Sequence, residues 1–168
     1  MKDFPNLGLD VYDIYDIFDR NTKEVFNVSL INCDDVEDGL YDDYLFETED
    51  EAEEKCWEIG EHFNKLAGMK EIKIYRCLEL NSVDDLNRDD LGECWAWDRD
   101  AAVNFGLNNL YNPNFLLIGI VNKENINWKE SLNRYAINSL FNRGMEENEL
   151  VIKNNGIHVK LLDVEHLD

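Results

Sequence analysis

The chain has 168 residues, of which 44% are apolar and 11% aromatic, so it carries enough apolar material for a sizeable core and is not a disordered chain. It sets 37 acidic residues against 16 basic ones, a net charge of −21. A surface of that sign repels phosphate backbones, which argues against direct binding of nucleic acid and for a solubilising role or a basic protein partner.

No apolar run approaches the roughly 18 residues of a membrane span. Met1-Lys2-Asp3 leads into acidic alternating sequence and not into the apolar core of a secretory signal. Cys33, Cys56, Cys77 and Cys94 form no C-x-x-C pair and have no histidine at zinc-ligand spacing. These features predict a cytoplasmic protein with reduced thiols, no metal site and no membrane contact.

Residues 9–18, LDVYDIYDIF, and 24–31, EVFNVSLI, are rich in β-branched and aromatic residues and flank the turn cluster DRNTK. They predict a β-hairpin, although Asp10, Asp13, Asp16 and Asp19 recur every third residue, which matches neither the strand nor the helix period well. Residues 32–43 are acidic and loop-like. Asp34, Asp38 and Gly39 suggest a calcium loop, but Val36 and Leu45 stand where ligands belong. YDDYLFET predicts a short strand leading into a helix. Thr48 and Glu51 form the sequence of a capping box, and Cys56, Ile59, Phe63 and Leu66 make the helix's apolar stripe up to Gly68.

EIKIYRCLEL (71–80) alternates as a strand does, and the polar loop SVDDLNRDD follows. Residues 91–106 predict a strand, an N-cap at Asp98 and a short helix burying Ala101, Ala102 and Phe105. NFLLIGIVN (114–122) reads as a buried strand and NWKESLNRYAINSLF (127–141) as an amphipathic helix. NELVIKN and GIHVKLLDVEHL read as two strands of a hairpin turning at Asn154-Asn155-Gly156. Strands and helices mix without a regular βαβ rhythm, which predicts an α+β protein. A seam near residues 67–71 divides it into a hairpin-and-helix extension, 1–69, and a mixed β core, 70–168.

Three places carry chemistry. Arg76 shares a strand face with Ile74 and Leu78. A buried charge needs a partner, either a structural carboxylate or a bound phosphate, which arginine grips bidentately. Glu147 and Glu149 lie two apart, so in a strand they share a face. They are an acidic edge of an acidic protein or carboxylates that stabilise a sugar cation. Trp95 and Trp97 share one face, with Cys94 and Ala96 on the other. The tryptophans serve as core aromatics or as a wall for a flat ring. His62, His158 and His166 fit no triad order or metal spacing.

An arginine on the first core strand, then GECWAWDRDAAVNF, then E-x-E leading a late strand, resembles the arginine–serine–glutamate class of mono-ADP-ribosyltransferases over about residues 71–165. The resemblance implies an ADP-ribosyltransferase-like fold with NAD as substrate. It also implies Arg76 as the clamp on NAD, a pocket strand of Cys94, Trp95, Ala96 and Trp97, Glu149 as the catalytic glutamate and Glu147 as the acceptor-activating one. The acceptor it suggests is an arginine on a basic protein, belonging to a host or partner. The family's two hydroxyls are missing at Cys94-Trp95-Ala96, and a thiol is a weak donor. The competing reading is a non-enzymatic acidic inhibitor on a degenerate transferase scaffold, mimicking nucleic acid to block a basic partner. Such a protein would suit a phage acting on host defence.

Overall fold

A computed structural model describes residues 3–26, 29–31, 44–141 and 148–167. The chain begins with a small antiparallel pair, β1 (Asp3–Phe4) and β2 (Leu9–Asp10). Residues 9–18 do not form a strand beyond this point. Val11–Asn21 is helix α1, continued by one π-helical turn at Thr22–Phe26. The expected first hairpin is thereby corrected, and the aspartate spacing explains why. Asp10 Oδ1 accepts from the backbone N–H groups of Tyr12 and Asp13, both at 2.9 Å, and Asp13 returns a bond to the Asp10 N–H. This capping box starts the helix, and Val11, Ile14, Ile17 and Phe18 then fall on one buried stripe. A period near 3.6 and a good cap outweigh the β preference of the individual residues.

β3 (Ser29–Ile31) and β4 (Tyr44–Phe46) form a two-stranded parallel pair. The acidic stretch 32–43 between them, already excluded as a calcium loop by its sequence, lies outside the described residues, as does Cys33. Helix α2 spans Glu49–Gly68, with Thr48 as N-cap accepting from the Glu51 N–H at 3.2 Å. The acid-rich first turn complements the helix dipole.

The remaining strands form one antiparallel sheet. These are β5 (Glu71–Leu78), β6 (Cys94–Ala96), β7 (Phe115–Asn122), β8 (Glu149–Val151) and β9 (Lys160–His166). Their spatial order is β8-β6-β5-β7-β9. Helix α3 (Arg99–Asn109) follows β6, capped by Asp98 as expected, and α4 (Trp128–Phe141) follows β7. The chain is an α+β protein.

Two further expectations are corrected. The turn at 154–156 exists, with Asn154, Asn155 and Gly156 all at positive φ, but it does not join a hairpin. β8 pairs with β6 and β9 with β7, at opposite edges of the sheet. The turn's polar groups are used elsewhere, since the Gly92 N–H donates to the Asn155 carbonyl at 3.0 Å. Phe105 is 39% exposed, and Gly106 takes the buried place on α3.

One hydrophobic cluster includes Phe4, Ile14, Phe18 and Phe63 from before residue 70, together with Ile74, Trp95, Leu117, Leu132 and Leu150 from after it. A second cluster lies on the other face of the sheet, where Cys77, Ala96 and Leu116 meet Ala101 and Ala102. Among the described residues no helix is long and apolar enough to cross a membrane.

Candidate functional site

The strand register builds the site. Tyr75 pairs with Ala96, and Ala96 with Glu149. Residues directly opposite in antiparallel strands share a face, so Tyr75, Ala96 and Glu149 form one row across β5, β6 and β8. Cys77 and Cys94, two residues further along their strands, share that face. Helix α3 crosses it closely at one end, where Gly106 lies against Cys77 with no room for a Cβ. At the other end the small residues Ala96 and Ala102 leave a cleft of about 310 Å³, at the small end of ligand-site sizes. Tyr75, Phe105 and Leu110 give it an apolar lining, and Arg76, Cys94, Trp95 and Glu149 border it as well.

Glu149 is the acidic residue of this cleft. Its side chain is only 14% exposed, and its Oε1 accepts from Arg134 Nη1 at 2.9 Å. The same nitrogen lies 2.9 Å from the Cys94 sulfur. Arg134 Nη2 reaches Glu93 at 3.2 Å and its Nε reaches Glu130 at 3.3 Å. Burial works against the Arg134 charge. The Cys94 sulfur and the carboxylates more than offset it, and the guanidinium titrates above its ordinary range. Burial also pushes the Cys94 thiol up to about 11, helped by the hydrogen bond and charge of Glu149 and opposed by Arg134. Cys94 is therefore a protonated thiol at neutral pH, not a nucleophile.

Arg76 is half-buried on β5, and its Nη1 donates to the Cys94 carbonyl at 3.1 Å. Its guanidinium lies over Gly92, where a Cβ would collide with it, and Gly92 has φ 82°. The backbone therefore favours glycine there, and a Cβ would have to push the end of the Arg76 side chain aside. Among the described residues no carboxylate forms an ion pair with Arg76.

The structure sets Cys94, Ala96 and Glu149 on the face where the cleft opens, whereas Arg76 and Trp95, one residue out of step on their strands, border the cleft but carry their side chains on the opposite face with Ile74 and Leu117. It does not bring Trp97 to the cleft. That ring stacks on Tyr135 at 5.9 Å and meets Phe63 edge-on at 5.5 Å. The Trp95 indole is 1% exposed in the main core, its Nε1 donating to the Gly92 carbonyl at 2.9 Å. The aromatic rings that line the cleft are those of Tyr75 and Phe105. Glu147 lies outside the described residues.

Sequence reasoning misses Arg134. The Glu130–Arg134 spacing of four on a helix is visible, but nothing local signals that the guanidinium reaches Glu149 and Cys94. Among the described residues no cluster of three or more histidine, cysteine or acidic side chains could hold a metal ion. No family model matches the chain, and neither does any curated protein or solved structure.

Proposed function

We propose that the cleft takes NAD as a substrate and that the protein transfers ADP-ribose from it to a side chain of a basic protein. One observation carries this reading. The strands bearing Arg76, Cys94–Ala96 and Glu149 lie side by side, and Glu149 is a sequestered carboxylate in an apolar cleft that the Arg76 strand borders, with the Arg76 side chain leaving the opposite face. The spacing of these residues along the chain resembles that of the arginine–serine–glutamate transferases. The cleft has the scale of a heterocycle with its sugar, and Tyr75 and Phe105 suit a flat ring.

In this reading the N-glycosidic bond of NAD breaks, and its electron pair leaves with nicotinamide, which becomes neutral. Positive charge develops on the ribose, and the Glu149 carboxylate stabilises it. The acceptor's lone pair then forms the new bond to the same carbon, and its proton passes to Glu147. The resemblance makes Arg76 the clamp on the phosphates, which requires NAD to reach past the sheet edge to the guanidinium over Gly92. The acidic surface draws a basic target, with an arginine as the acceptor that the resemblance suggests. Because Cys94 and Ala96 supply no hydroxyl, turnover is expected to be slow.

The test is nicotinamide release by purified protein, with and without cell lysate. Glu149→Gln keeps the size of the side chain and an acceptor for Arg134, and is expected to cut release by on the order of 10²–10³-fold with the fold intact. Absence of release, together with no rise in melting temperature on adding NAD, rules the reading out. A second reading rests on the net charge of −21 and the absence of a hydroxyl at Ala96, opposite Glu149. It is an acidic interaction protein that occupies a basic groove, with salt-sensitive binding that Glu149→Gln leaves untouched.

A further inference from the structure

We infer that Arg134 is the positioning residue that aims the Glu149 carboxylate, a role whose catalytic consequence rests on the proposed cleavage but whose geometry does not. Glu149 opens a three-residue edge strand, and its cross-strand neighbour on the same face is Ala96, which has no side-chain donor. The sheet itself therefore offers the carboxylate no side-chain donor from that position. Arg134 supplies the donor from a different element, at 2.9 Å.

The donor is itself fixed. The planar fork of Arg134 is held on three further sides, by the Cys94 sulfur, Glu93 and Glu130. A guanidinium bonded through Nε, Nη1 and Nη2 cannot turn to follow a moving carboxylate. The helix that carries it is anchored as well. Leu132 and Ala136 are buried in the main core. Ser131 Oγ donates to the Asn127 carbonyl at 2.8 Å and accepts from the Val151 N–H at 2.9 Å. The register between α4 and β8 is thus set two residues from Glu149, and Arg134 is a rigid reference against which Glu149 is aimed. A mere staple between helix and sheet would need only one of these bonds and no contact with Glu149.

Full-length protein carrying Arg134→Gln, Arg134→Lys or Glu149→Gln tests this in two ways. In nicotinamide release, Arg134→Gln is expected to lower kcat by on the order of 10²-fold, the scale of a misplaced catalytic group, with KM for NAD unchanged and some fall in melting temperature from the carboxylate left without its partner. Arg134→Lys restores part of the rate, since it keeps the charge and loses the fork. The second readout needs no activity. Alkylation of Cys94 by iodoacetamide, followed across pH on its own peptide by mass spectrometry, reports the same triangle of groups. Arg134→Gln moves its pH midpoint up and Glu149→Gln moves it down, because the two charges act on the thiol in opposite senses.

Midpoints that do not separate, or equal loss of kcat in Arg134→Lys and Arg134→Gln, overturn the inference. A fall in melting temperature with kcat and KM changing together overturns it in favour of a staple. If the wild type releases no nicotinamide while the Cys94 midpoints still move apart, the transferase reading falls and the aiming of Glu149 by Arg134 stands.

Discussion

The two faces of the five-stranded sheet are covered differently. On one, Ile74, Leu117, Trp95 and Leu150 meet the large side chains of α1, α2 and α4, among them Phe18 and Phe63 with no exposure. On the other, Tyr75, Cys77, Ala96 and Glu149 face α3, which offers alanines and Gly106. Large residues fill the first face. Small ones on the second bring the helix close at Cys77 and leave a void beside Tyr75 and Glu149. The difference shows a division of labour within one sheet, since a void sacrifices dispersion contacts that the packed face keeps. That face also holds Cys94 and Glu149, the sheet's two contacts with Arg134.

Substitutions on the two faces should expose this contrast. Trp95→Ala, on the packed face, is expected to destabilise by about 3–5 kcal/mol in denaturant unfolding. Phe105→Ala, on the open face, should cost only about 1 kcal/mol but weaken the rise in melting temperature produced by NAD. Equal losses at the two positions would break the comparison.

Gly92 lies beside the packed face, where it receives the Trp95 Nε1 bond and lies under the Arg76 guanidinium. Gly92→Ala should cost about 1–3 kcal/mol from its left-handed backbone, and it should also displace Arg76. Stability loss without any change in the NAD-induced shift would separate Arg76 from the cleft.

The smallest effect concerns pH. Burial, with the charge of Glu53, pushes Cys56 on the packed face up to about 12, and burial pushes Cys94 on the open face up to about 11. Both thiols keep their protons in the folded chain at pH values where the unfolded chain, with its ordinary value of 9.0, has lost them. Their contribution is therefore complete below pH 9 and lost as pH rises through 11 and 12. The difference in melting temperature between wild type and Cys56→Ala should shrink over that range. A constant difference would mean that Cys56 is not sealed on its face.

Much of this architecture is legible in the order of the residues. The cap at Thr48 and the stripe from Cys56 to Leu66 specify α2, and alternation specifies β5 and its two faces. Asp98 specifies the start of α3. Arg76, Cys94, Ala96 and Glu149 stand out by residue type and spacing; Cys94, Ala96 and Glu149 share the cleft's face, and Arg76 borders it from a strand whose alternation turns its side chain the other way. The helix at 11–21 is also legible, through Asp10 and Asp13, but β-branched and aromatic residues obscure it. Trp97 and Phe105 exchange their expected places, because spacing assigns a residue to a face but does not say how much of that face its neighbours leave open.

The sequence by itself determined the local elements, since caps, turns and periodicity act over a few residues and carry their own hydrogen bonds. Only the tertiary structure decided which strands became neighbours, why the turn at 154–156 separates β8 and β9 instead of joining them, and that Arg134 meets Glu149. Those outcomes depend on where distant segments come to rest. Arg134 and Cys94 are 40 residues apart in the chain, and no local preference encodes a contact that forms only after the helix and sheet have packed.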